Sequence, residues 1–132
     1  MSEHIIHIIL KDIYDFHEEL KKNSALLSGT RDNSLLESAV NTPFQTFMGE
    51  DLYASIYDKA AQLCYGIANN HPFIDGNKRT ALHSMYVYLI INGLDITASE
   101  QEVENVIIDI ASGKMPATEL SEWLQDNTVK IE

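Results

Sequence analysis

Cysteine is almost absent: Cys64 is the only one in 132 residues. It excludes an internal disulfide and a thiolate metal cluster, and it suits a reducing compartment. Positive charge is scarce too, with 9 Lys and Arg against 20 Asp and Glu and a formal net charge of −11. A surface this acidic excludes broad nucleic-acid or anionic-membrane binding driven by counterion release. Long apolar runs are also missing. The longest, Met85 to Ile91, falls far short of the ~20 residues a helix needs to span a bilayer. The first residues carry Glu3 and an apolar stretch broken by His7, without a basic segment or a small-residue cleavage site. No secretion signal is expected, and the expected location is the cytoplasm.

What is present is 45% hydrophobic content, enough for one core and one domain over residues 1–132. Ile5 to Ile9 predicts a short strand, and Asp12 to Lys22 a helix with Ile13, Phe16, His17 and Leu20 at helical spacing. Ser28 to Arg31 reads as a loop. Asp32 to Val40 repeats Leu35, Leu36, Ala39 and Val40 as a short apolar stripe that Pro43 stops. Phe44, Phe47, Met48 and Gly49 form an apolar loop that reads as a flap or small hairpin over a cleft, serving as core cover or as an edge for a target segment.

Tyr53 to Asn70 predicts a helix whose face carries Tyr57, Ala60, Ala61, Cys64, Ile67 and Ala68. Continuing that face by one turn brings His71 to the same side. Arg79 to Asn92 is apolar nearly all round after Ser84 and ends at Gly93, so it is expected to be the central buried helix. Leu94 to Thr97 reads as a connection. Ser99 to Glu102 is a capping box for a helix that stops at Gly113, and Thr118 is expected to cap a last one carrying Leu120, Trp123 and Leu124. The fold class is all-α, a compact bundle of five or six helices around a buried central helix.

The residues that carry chemistry lie together at His71-Pro72-Phe73-Ile74-Asp75-Gly76-Asn77-Lys78-Arg79-Thr80. A base, a carboxylate, a glycine turn, an amide and two cations precede a helix whose first N–H groups and dipole favour an anion. A plain helix-loop-helix connection accounts for each residue singly but not for their combination. A Walker loop fails because Asn77 separates Gly76 from Lys78, and the His-Glu-x-x-His of a zinc protease is absent. Asp75-Gly76 as a hairpin turn would need alternating apolar flanks, which Asn77 to Thr80 do not provide. An imidazole titrates near pH ~6.5 and is favoured as imidazolium at a helix C-terminus, so His71 suits general-base work. One carboxylate is enough for magnesium, which takes its other ligands from phosphate and water. His4, His7 and His17 show no metal spacing, and His83, a lone helical histidine, reads as a packing or rim residue.

His71 to Arg79 resembles the signature of Fic/Doc proteins, most closely the Doc (death on curing) branch. The resemblance extends to Arg31-Asp32, Leu36-Glu37-Ser38-Ala39, Tyr53, Lys59-Ala60-Ala61 and Asn92-Gly93. It implies a small helical fold and a transferase that moves part of a nucleotide onto a protein hydroxyl. His71 would be the base, Asp75 would hold magnesium, and Gly76, Asn77, Lys78 and Arg79 would cradle the phosphates of ATP. Doc toxins are similar proteins that phosphorylate elongation factor Tu, which makes a translation factor the implied target.

AMP-transferring relatives have Gly at the position of Lys78 and a further Arg at that of Leu82. Both departures favour transfer of the γ-phosphate. No inhibitory Ser/Thr-x-x-x-Glu-Gly/Asn helix is present, since Thr118 and Glu122 are followed by Trp123, and control by a separate antitoxin is expected. The alternatives are an AMP-transferase and a non-catalytic regulator that binds an anion or a partner.

Overall fold

The computed structural model describes residues 6–8, 10–23 and 29–131. Six α-helices lie among them: α1 (Leu10–Asn23), α2 (Asn33–Asn41), α3 (Ile56–Asn70), α4 (Asn77–Ile91), α5 (Glu100–Ala111) and α6 (Ala117–Asp126). Two small antiparallel pairs accompany them, β1 (Thr46–Phe47) with β2 (Glu50–Asp51) and β3 (Leu94–Ile96) with β4 (Thr128–Lys130). The expected all-α bundle with a small hairpin is borne out. No helix among the described residues is long and apolar enough to cross a membrane.

The buried centre is α3, which packs against α2, α4, α5 and α6. Its buried face is built from Ala60, Ala61, Leu63, Cys64, Ile67 and Ala68. The expected central helix, α4, buries one side and leaves Tyr86 and Ile91 exposed. Small residues decide between them, because several helices can approach one axis only where its side chains are short. At Gly66 a Cβ would lie 3.0 Å from the Ala39 Cβ and 3.1 Å from its Cα, so α2 sits almost on the α3 backbone. Burial pushes the Cys64 thiol up to about 12, which leaves it an inert core group.

Local chemistry sets the ends. Asp32 lies one residue before α2, where its carboxylate accepts from the Ser34 and Leu35 N–H groups and the Ser34 hydroxyl. These bonds, the Ser34 hydroxyl foremost, hold the Asp32 pKa below its ordinary value. Ser99 caps α5 through the Glu102 N–H, and its hydroxyl donates to the Glu102 carboxylate at 3.1 Å. Thr118 does not cap α6, which already starts at Ala117; Pro116 precedes it, and the Pro116 carbonyl accepts from Glu119 and Leu120. The β1–β2 turn is Met48-Gly49, both with positive φ, the primed geometry that matches strand twist.

Leu94 to Ile96, expected as a connection, is a strand in register with Thr128–Lys130. Its pairing docks the C-terminal tail. Of the strand expected over residues 5–9, Ile5 and Ile9 lie outside the described residues, as does Ser28 of the expected loop; residues 6–8 are irregular. The Asn92 carboxamide serves Ile6 as a strand partner would, accepting from its N–H at 2.7 Å and donating to its carbonyl at 2.8 Å.

Gly66→Leu is expected to destabilise the protein by about 1–3 kcal/mol through overpacking against Ala39, measured by urea unfolding. Asp32 gives a pH-dependent prediction. Its folded pKa is lowered, so its charge stabilises the fold above the ordinary value of 3.8 and that contribution is lost as pH falls through the lower folded value. The melting-temperature advantage of wild type over Asp32→Asn should therefore be present at neutral pH and close in acid.

Candidate active site

The loop between α3 and α4 is held from below before it presents anything to solvent. His71 ends α3 in the left-handed conformation, φ 50 and ψ 56. A β-carbon makes that conformation cost about 1–2 kcal/mol, and Pro72 bars the alternative of continuing the helix. The side chain therefore does not continue the Cys64–Ile67 face, as helical spacing had suggested. It turns out of the helix and is exposed.

Arg31 offsets the cost of that turn. Its Nε donates to the His71 carbonyl and its guanidinium NH2 group to the Asn70 carbonyl, both at 2.7 Å, satisfying acceptors that the end of a helix leaves open. The backbone beside Arg31 acts with it. Arg31 and Asp32 N–H groups donate to the Pro72 carbonyl, Thr30 bridges Phe73, and the Ile74 N–H donates to Gly29. Residues 29–32 thus run as a strut along residues 72–74.

Phe73 is 1% exposed and anchors the loop in the core. The Asn77 carboxamide grips both of its backbone groups, accepting from the N–H and donating to the carbonyl, each at 2.9 Å. His17 of α1 stacks on the Phe73 ring with centroids 3.9 Å apart and planes 3° from parallel. Its Nε2 lies 2.8 Å from the Asp75 carbonyl oxygen. Gly76 precedes α4 at φ 81, a left-handed position that glycine takes without strain, and its N–H donates to Asp75 Oδ1 at 2.9 Å.

Above this support lies an open cavity of about 400 Å³ lined by His71, Ile74, Asp75, Gly76, Asn77, Lys78, Arg79 and Ala111. All six residues singled out from the sequence line it. The contribution of Asn77 comes from its backbone, since its carboxamide is spent on Phe73. The first-turn N–H groups of α4 lack acceptors within the helix, and with Lys78 and Arg79 they make an electropositive floor in an acidic protein. Asp75 is the carboxylate of the lining, and no cluster of three or more potential metal ligands exists among the described residues. That donor set fits magnesium held largely by phosphate and water, not zinc.

A larger cavity of about 540 Å³ shares Arg79 with it and is walled by Leu20, Leu82, Tyr86 and Val103 with His83 and Glu104. The residues singled out from the sequence, an imidazole, a carboxylate and two cations among them, converge on the smaller one. His83 packs edge-on against Phe16 at 4.9 Å, and burial pushes its pKa down, in keeping with a rim residue.

The model of the Fic/DOC family matches residues 4–89. This chain belongs to the Fic/Doc family. It is 46% identical over 68 residues to "Toxin Doc" of Mycolicibacterium smegmatis, a match that covers 52% of each protein. So the chain spans about half the length of that relative. It is 24% identical over 119 residues to "Protein kinase doc" of Escherichia phage P1, covering 90% of this chain and 93% of that one.

Two supports of this Fic/Doc loop escaped the sequence reading. His17 is part of the apolar stripe of α1, and a histidine on a stripe of Ile, Phe and Leu was the available signal. Arg31 entered only as part of the Arg31-Asp32 match in the family resemblance, with no role given to it. Arg31→Met is expected to lower stability by about 1 kcal/mol per bond lost to the two carbonyls, read by urea unfolding.

Proposed function

We propose that this chain is a Doc-type toxin that phosphorylates a Ser or Thr hydroxyl of a protein, using magnesium-ATP. The observation that carries this reading is the convergence on one cavity of His71, Asp75, Lys78, Arg79 and the start of α4. An exposed imidazole beside an electropositive floor can take a proton from an incoming hydroxyl while the floor holds the phosphoryl group to be attacked. Lys78, Arg79 and the first-turn amides neutralise charge on the transferring group. Asp75 would hold the magnesium ion, which supplies charge neutralisation on the phosphate oxygens when bound.

The choice of phosphoryl over AMP transfer rests on Lys78 and Leu82, which stand where AMP-transferring relatives have Gly and Arg. The name of the phage P1 relative, a protein kinase, points the same way. By resemblance the target is a cytoplasmic translation factor, elongation factor Tu. We read control as coming from a separate antitoxin, on the missing inhibitory motif and the Doc relatives; the packing of Leu120, Ser121 and Leu124 of α6 into the core, away from the cavity lining, is compatible with this.

The test is incubation with bacterial lysate, magnesium and ATP labelled at the α or the γ position. Label from the γ position should appear on protein and fall by about 10²–10⁴-fold in His71→Ala. Label from the α position would replace this reading with AMP transfer. No label, or label indifferent to His71→Ala, would leave a non-catalytic regulator.

A further inference from the structure

Asp75 and His17 are 58 residues apart in sequence and joined in space by one hydrogen bond. The Asp75 carbonyl oxygen can only accept, so the imidazole Nε2 carries the proton and donates. We propose that His17 is a positioning residue that aims the Asp75 carboxylate by fixing the plane of the Asp75–Gly76 peptide. This rests on the reading of Asp75 as the residue that holds magnesium.

The argument follows the bonds. No described peptide is cis, so the Asp75 C=O and the Gly76 N–H point in opposite directions from one rigid plane. Drawing the oxygen inward to His17 turns the hydrogen of Gly76 outward. That N–H then grips Asp75 Oδ1 at 2.9 Å. One donor in the core thus sets, through one peptide plane, the orientation of a carboxylate at the surface.

The plane needs such a hold. Gly76 sits at φ 81, and glycine takes positive and negative φ with similar ease, so the peptide before it can rotate at little steric cost. Asp75 lies in the connection between α3 and α4, outside either helix. His17 is itself enclosed. It is 3% exposed and stacked on Phe73, whose backbone is gripped by Asn77. A phenylalanine would fill the same space and keep the stack; only a donor explains the contact with the carbonyl.

Two variants separate packing from positioning. His17→Phe keeps a ring on Phe73 and removes the donor, whereas His17→Gln offers an N–H and removes the ring. Thermal unfolding monitors the fold, and the readouts are amide exchange at Gly76 in ¹⁵N-labelled protein and the magnesium concentration giving half-maximal γ-phosphate transfer. His17→Phe is expected to speed Gly76 exchange and raise the magnesium midpoint, each by about 10-fold or more. His17→Gln should restore most of both.

Wild-type values for both readouts in a folded His17→Phe would overturn the proposal, leaving His17 as a core residue. So would equal defects in the two variants. Should His17→Phe fail to fold, fast Gly76 exchange in a folded His17→Gln would overturn it and slow exchange would support it. If wild type transfers no phosphate, the kinase reading fails on wild type alone, and Gly76 exchange still decides whether His17 holds the peptide plane.

Discussion

The burial of Phe73 is the constraint on which the site depends. A loop carrying His71, Asp75, Lys78 and Arg79 has every electrostatic reason to spread into water. One apolar ring in the core prevents this. Once the ring is seated, the backbone on either side is drawn under the surface, and its polar groups must find protein partners. Asn77, Thr30 and His17 meet that demand, each from a different element. The cationic residues remain above, exposed, on a backbone that no longer moves freely. Rigidity below and exposure above are what a preorganised anion site requires, since the donors need not reorganise as charge develops.

The Fic/Doc chain meets a second constraint at the other end of α3. Lys59 is buried at 2% exposure, and its ammonium donates to Asp51 at 3.0 Å and to the Tyr53 carbonyl. An ammonium in the core costs several kcal/mol unless paired, so the root of the β1–β2 hairpin is held close to α3 while its tip, Phe47 and Met48, stands in solvent. The same helix therefore fixes the base of the hairpin at its first turn and His71 just beyond its last.

Much of the bundle was legible because periodicity reports which face of a helix is buried, and each helix here has one such face. The hub was misread for a physical reason. Hydrophobic strength singled out Ile, Leu and Val of α4, whereas close packing selects the Ala and Gly residues of α3. The β3–β4 pair was missed because three-residue strands carry no usable alternation, and the cap of α6 because Thr118 competed with a proline whose backbone geometry already starts the helix. The cavity lining could be read because its residues are contiguous from His71 to Arg79. Its supports could not, because Arg31 and His17 reach the loop from 40 and 58 residues away.

The Asn92 carboxamide, met above as a substitute strand partner, has a wider consequence. Ile6 is bonded to Asn92, and the Ile131 N–H donates to the carbonyl of the next residue, Gly93, at 2.8 Å. The outermost described residues of both ends therefore meet at the C-terminal end of α4. The cavity lies at the opposite end of that 15-residue helix, about 20 Å away at 1.5 Å per residue. A reporter placed at Ile6 or at Ile131 would therefore stand a helix-length from the cavity.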